Sequence, residues 1–292
     1  MSKDAPRPMK TRTKQVLDDR QVQEFKTNGV LVLRNFYDLS EDIEPIQRCI
    51  YDLIGILIDK HGLSIHRPAF APEVFDAGYQ ELIAANRTYG GELYDAVKQI
   101  PAFMRIVSHP SHDRLFTQLR PSCLPGVAGG GYGIRIDNPH EDRFRANWHQ
   151  EYPAQLRSLD GLVFWSPLVP ITEDMGPVIF CPGSQAEGPI PVYTQIPNAP
   201  EKTGAYSLIL KDEETLLRKY SKISPLTLPG DLVLIDFLVL HASGYNRSKR
   251  SRWTMQLRYF NFKDLTGQSH GWRGSFAAGV DFRTIHPELC AD

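Results

Sequence analysis

The sequence predicts a mainly β protein with helices gathered on its N-terminal side. Three features carry that reading. Short apolar runs, rich in branched residues, recur from about residue 122 onward. Gly/Pro turns separate them, and no alternation of strand and helix of the βαβ kind is present, which points to a sandwich or jelly roll. Before residue 122 the apolar residues recur at helical spacing instead.

Taken in order, residues 1–16 are polar and basic with Pro6 and Pro8, which predicts a disordered tail. A helix starts at Asp18, with Gln21 as its capping-box partner, and Asn28-Gly29 stops it. Residues 30–33 form a buried strand. Ser40 is expected to cap the next helix, whose core stripe is Ile43, Ile46, Ile50, Leu53 and Leu57. Helical pieces are expected near 81–85, 92–99 and 112–119, with Pro68, Pro72, Pro101, Pro110 and Pro121 separating them. Strands are expected at 134–136, 162–165, 177–181, 232–237 and 253–260. Residues 185–221 form a long, Pro-rich insert with one short helix near 213–220. A loop of that length in a compact domain is usually a lid or binding loop. No linker interrupts the interior, so 17–292 reads as one domain. It has a helical part at about 17–121, a β core at about 122–262 and a C-terminal segment at 263–292.

Composition removes several function classes. A formal net charge of -1 argues against a nucleic-acid or basic membrane surface. The most apolar run, near 53–58, is too short to span a bilayer. Cys49, Cys123, Cys181 and Cys290 are widely spaced and form no CxxC pair. They read as reduced thiols of a cytoplasmic protein. The glycines at 126, 129, 130, 131 and 133 lack the order of a phosphate-binding loop and read as a tight entry into a strand. His109 and His112 have Pro110 between them and no third ligand nearby, so a capping or surface role is expected.

The chemistry centres on Asn147-Trp148-His149-Gln150-Glu151-Tyr152. On a strand, residues two apart share a face, so His149 and Glu151 can reach one metal ion. His241, after the apolar run 232–237, offers a second imidazole. Two His and one carboxylate on one face of iron is the arrangement of non-haem Fe(II) oxygenases. Taken alone, His149 reads better as a core histidine bonded to backbone; the His241 block tips the balance to metal ligation.

Further blocks follow in a set order and separation: Gly176-Pro177, Pro182-Gly183-Ser184, Gly230-Asp231, His241-x-Ser243-x-x-Asn246 and Arg252. Together with Trp148 to Glu151, and with the opening helix and strand, they resemble the phytanoyl-CoA dioxygenase family of Fe(II)/2-oxoglutarate oxygenases. The resemblance is scattered over residues 18–262 and tight only in these blocks. It implies a double-stranded β-helix (a cupin-like jelly roll) with His149, Glu151 and His241 as the metal ligands. It implies Arg252 on the distal carboxylate of 2-oxoglutarate, with a hydroxyl contact from Ser243. It also implies O2 as oxidant and hydroxylation of a small organic molecule, with release of succinate and CO2. Some members of such families desaturate, cyclise or epimerise their substrate instead. Glu151 stands where the family usually has Asp. A ligand is retained, which argues against the halogenase variation, where a small residue makes room for halide.

Around this core, Gln150, Tyr152, Arg135, Trp165 and Asn246 are candidates for lining or bracing the pocket. Arg135, Arg143 and Arg145 hint at an anionic group on the substrate. The alternative for Arg252 is a structural ion pair with Asp231 or Asp236. Two rival functions remain: a zinc site supporting hydrolysis, and a non-catalytic cupin-like binding protein. Nothing in the motifs fixes an oligomeric state.

Overall fold

The computed structural model describes residues 16–194, 208–274 and 279–291. The expected disordered tail therefore lies almost wholly outside the described residues.

Helix α1, Asp19–Asn28, begins as its sequence dictates. The Asp18 carboxylate accepts from the Gln21 backbone N–H at 2.7 Å, and the Gln21 side chain accepts from the Asp18 N–H at 3.0 Å. Gly29, at φ 70°, ends the helix and feeds directly into strand β1, Val30–Leu33. The next cap differs from expectation. Asp38, not Ser40, takes the role, its carboxylate accepting from the backbone of Ser40 and Glu41. A wide turn, Leu39–Ile43, then precedes α2, Glu44–Lys60. Pro45 lacks an N–H and fits only the first turn, so the regular helix starts later than the polar signal implies. The buried stripe of α2 runs through Ile46, Ile50, Ile54, Leu57 and Ile58, and Leu53 is only half-buried.

Helices α3 (Tyr79–Ala85), α4 (Arg87–Val97), α5 (Pro101–Val107) and α6 (Pro110–Leu119) complete the N-terminal layer. α5 was not expected. Its Pro101 is not a separator but the first helical residue, where a missing N–H costs nothing. His109 caps α6 through Nδ1, as expected, but His112 is no surface residue. It is fully buried, with Nε2 2.7 Å from the Tyr37 hydroxyl.

The larger sheet joins β1 to β8 (Leu232–Asp236), β4 (Leu162–Pro167), β10 (Arg252–Asn261) and β2 (Pro125–Val127). Strand β3 (Gly133–Asp137) also lies along β10, and every pairing is antiparallel. The register matters for function. Across β10, Arg258 faces Val163, Gln256 faces Trp165 and Gly133, Thr254 faces Arg135, and Arg252 faces Asp137. Partners in register share a face, so all of these side chains lie on one side of the sheet. The alternate residues Trp253, Met255, Leu257 and Tyr259 are buried on the other side, against the helices. Trp253 packs edge-on to Tyr79 at 4.9 Å and donates its Nε1–H to Asp76 at 3.1 Å.

The smaller sheet pairs β5 (Val178–Cys181) with β9 (Leu240–Ser243), so His241 stands opposite Phe180 and Ser243 opposite Val178. Single bridges extend it, His149 to His241 on one side and Ile223 to Phe180 on the other. The strand expected through 149–151 is reduced to that bridge. Glu151 already has helical angles (φ -70°, ψ -32°), and the short helix α7, Tyr152–Gln155, follows. Pro153 lies in its first turn and has no N–H to continue a ladder.

Of the 185–221 insert, the structure describes β6 (Val192–Tyr193), β7 (Ile209–Leu210) and α8 (Glu213–Leu217); residues 195–207 of the expected lid lie outside the described part. Short helices α9 (Leu265–Ser269) and α10 (Phe282–Ile285) follow the sheets. Among the described residues no helix is long and apolar enough to cross a membrane.

Two outcomes test this packing. Trp253→Ala removes the largest side chain between sheet and helices and should cost about 3–5 kcal/mol, read as a lower urea midpoint. Burial holds the His112 imidazole down at about 3, so the folded chain refuses a proton that the unfolded chain accepts near 6.5. Stability must therefore fall as pH drops through that window. His112→Gln should make the loss between about pH 7 and about pH 5 shallower than in wild type; equal slopes would contradict the burial argument.

Candidate metal centre

The two sheets face each other across a cavity of about 60 Å3. The larger sheet contributes Val163, Trp165, Ile235, Arg135, Gln256 and Arg258 to its wall. The smaller contributes Val178, His241 and Ser243, and His149 and Glu151 close it. Among the described residues, His149, Glu151 and His241 form the one group of three side chains that could hold a metal ion, with ligand atoms all within 4.8 Å of one another.

Each ligand atom is aimed by a second contact. The His149 Nδ1–H donates to the Asn147 carbonyl at 2.7 Å, and the His241 Nδ1–H donates to the Val239 carbonyl at 3.0 Å. A carbonyl can only accept, so each Nδ1 carries the proton and each Nε2 presents a lone pair. The two backbones are tied together as well, His149 N to His241 O at 3.0 Å and His241 N to His149 O at 3.1 Å. Glu151 divides its oxygens. Oε1 accepts from Arg258 Nε at 2.8 Å and from Gln155 Nε2 at 3.2 Å. Oε2 turns toward the imidazoles, 4.0 Å from His149 Nε2 and 3.9 Å from His241 Nε2.

The protonation states suit a cation. Burial, reinforced by the neighbouring His149, holds the His241 imidazole at about 3, and burial also lowers His149. Burial pushes Glu151 upward, but Arg258 and His149 outweigh it and hold the carboxyl at about 2. At neutral pH the trio is therefore two neutral imidazoles and one carboxylate, the donor set that iron takes in non-haem oxygenases.

Beyond this trio the expected residues separate. Ser243 shares the inner face of β9 with His241 and lines the cavity, as do Arg135 and Trp165. Arg135 makes an ion pair with Asp137 at 2.7 Å. Arg252 is 1% exposed and pairs with Asp137 at 3.0 Å, not with Asp231 or Asp236. Those two acids are bound by Arg34 and Arg120. Arg252 does not wall the cavity. Its Nη1 has no hydrogen-bond partner, and neither has Thr254 Oγ1, two residues along the same face. Both atoms are buried, where an unsatisfied polar group is costly. They are the kind of pair that a bound carboxylate would satisfy.

Three candidates lie elsewhere. Gln150 points away from the trio and braces the chain, donating to Gly188 O and Leu238 O and accepting from Ile190 N. Tyr152 is fully buried with its hydroxyl 2.6 Å from His286 Nε2. Asn246 ties the turn before β10, donating to Asp137 O and Arg250 O. Arg145, one of the arginines read as a hint of anionic substrate, pairs with Asp142. Sequence reasoning left Arg258 and Gln256 free to face either side and gave Asp137 no role. The alternation from Arg252 to Arg258 puts Arg258 and Gln256 within reach once Arg252 is assigned to the inner face, whereas Asp137 is brought in by the β3 register.

A larger hollow, about 810 Å3, is not this site, with which it shares only Ser243. Trp148, Ile179 and Ala242 line it, and they alternate with His149, Val178 and His241, so they face outward.

Several solved structures share this fold at low identity. SnoK, a non-haem alpha-ketoglutarate-dependent carbocyclase from nogalamycin biosynthesis, is 14% identical with a TM-score of 0.53, over 84% of this chain and 85% of that one. EctD from S. alaskensis, with bound Fe, is 15% identical with a TM-score of 0.55, over 92% and 86%. EvdO2 from Micromonospora carbonacea var. aurantiaca, complexed with 2-oxoglutarate, is 19% identical with a TM-score of 0.51, over 84% and 91%. A comparison with curated proteins returns no match. The family model for phytanoyl-CoA dioxygenase matches residues 25–254, which takes in β1, the metal trio and the start of β10; the chain belongs to the phytanoyl-CoA dioxygenase family.

Proposed function

We propose that His149, Glu151 and His241 hold Fe(II), and that the protein uses 2-oxoglutarate and O2 to hydroxylate an unactivated C–H bond of a small organic molecule. The observation that carries this reading is the convergence of two Nε2 lone pairs and one carboxylate oxygen within 4.8 Å, each aimed by its own backbone or side-chain contact. Iron and 2-oxoglutarate, when bound, supply the oxidation, with succinate and CO2 as co-products. The chain's own residues supply position and charge.

Arg258 holds Glu151 by Oε1 and leaves Oε2 for the metal, so the longer side chain still offers one oxygen. Between the sheets stand three guanidinium groups, Arg135, Arg252 and Arg258, against two carboxylates, Asp137 and Glu151. That excess, increased by a divalent cation, favours a dianionic acid such as 2-oxoglutarate. Arg252 Nη1 and Thr254 Oγ1, both without partners, are the groups to receive its distal carboxylate, and Ser243 adds a hydroxyl at the cavity wall. We read the two facing antiparallel sheets as a double-stranded β-helix, and 17–292 as one oxygenase domain whose helices pack on β10.

Iron-dependent conversion of 2-oxoglutarate to succinate tests the reading against a non-catalytic binding protein. His241→Ala should lose Fe(II) binding in calorimetric titration; unchanged turnover in that variant would sink the metal assignment. Arg258→Met keeps all three ligand atoms and should weaken iron by roughly tenfold. Arg252→Ala should leave iron bound and weaken 2-oxoglutarate by roughly tenfold to a hundredfold, the worth of one charge-assisted contact.

A further inference from the structure

A second hollow, about 450 Å3, adjoins the metal cavity, and Arg135, Gln256 and Arg258 line both. Its size falls within the range of small-molecule sites, roughly 300–1,000 Å3. Tyr79, Tyr94, Tyr132 and Phe144 form its walls, Tyr94 and Phe144 standing partly exposed at the mouth. Glycines, at 90 and 91 in α4 and at 130, 131 and 133 around β3, supply much of the rest.

Two of these glycines have no explanation in the protein's own packing. A Cβ built on Gly91 or Gly133 would meet no atom within 4 Å, and neither residue has the positive φ that demands glycine. Gly90, by contrast, is needed, since a Cβ there would press on Ile83 and Arg87. Gly91 sits inside α4, and glycine is a poor residue for a helix interior. Gly133 sits in β3 opposite Gln256, on the face that carries the metal cavity, and glycine is disfavoured in strands too. At Gly133 the absent side chain leaves open space in the hollow, and at Gly91, which is exposed, it leaves the mouth open.

The wall also carries three guanidinium groups, Arg87, Arg135 and Arg258, whose carboxylate partners Glu141, Asp137 and Glu151 stand outside it. A slot with aromatic walls, bare backbone and guanidinium groups turned to it suits a flat anion, which stacks on the rings and meets the guanidiniums at its edge.

We propose that this hollow is the substrate site and that it takes a planar aromatic or conjugated carboxylic acid, with Gly91 and Gly133 keeping open the space in which the ring lies. The proposal rests on the oxygenase reading of the adjoining centre. Its test is calorimetric titration of the protein, loaded anaerobically with Fe(II) and then 2-oxoglutarate, using trans-cinnamate as probe. Saturable binding is expected, with roughly tenfold weaker binding of saturated 3-cyclohexylpropanoate and of uncharged cinnamamide. Gly133→Val and Gly91→Leu should each weaken cinnamate by a similar factor. If cinnamate does not bind, if its saturated and neutral analogues bind equally, or if both glycine variants keep full affinity, the substrate class is wrong. The loading step keeps the two readings apart. Heat from 2-oxoglutarate without heat from cinnamate overturns only this inference, whereas no heat from 2-oxoglutarate on the iron-loaded protein overturns the oxygenase reading beneath it.

Discussion

The Glu151 carboxylate works in two directions, and the centre depends on that division. One oxygen is held by Arg258 and Gln155; the other looks toward the two imidazoles. An aspartate at this position would be one methylene shorter and could not span the same two partners from the same backbone. The glutamate therefore comes with an arginine, and the arginine comes from β10, on the opposite sheet. Glu151, next to the bridge that extends the smaller sheet, is thereby tied to the larger one.

That coupling explains why so much of the inner face of β10 is polar. Arg252, Thr254, Gln256 and Arg258 stand on one side of a strand whose other side is Trp253, Met255, Leu257 and Tyr259. In an ordinary sandwich the inner face would be the apolar one. Here both faces are largely buried, and the inner one is given over to charge. Asp137 takes two of the three arginines, and burial alone would push its carboxyl up; Arg135 and Arg252 hold it at about 2 instead. The excess of positive charge that remains suits the acid proposed to bind there, in a dioxygenase that depends on iron and 2-oxoglutarate.

Much of this is legible in the sequence, for physical reasons. The Asp18–Gln21 box, the Gly29 stop and the apolar runs of β1, β4 and β8 are local signals, and local signals are strong there. The candidate metal trio is legible because the His149-x-Glu151 pair, weak alone, is joined by the His241 block in an order that resembles the family's. What escapes is set by register or by proline. The first turn of α2 is displaced because Pro45 decides where a regular helix can begin, and α5 is hidden because Pro101 starts a helix as readily as it stops one. The 149–151 strand fails at Pro153. The partner of Arg252 depends on which residue of β3 lies opposite it, and only the paired sheet decides that. Arg258 could face either side until Arg252 and Thr254 fix the alternation.

The most direct test of the account is an anaerobic titration of metal-free protein with Fe(II) and then 2-oxoglutarate, followed in the visible spectrum. The account predicts a saturable metal-to-ligand charge-transfer band that appears only when both are present. Bound iron with no band on adding 2-oxoglutarate would contradict it, because the centre would then hold a metal without chelating the acid that the surrounding arginines are arranged to receive.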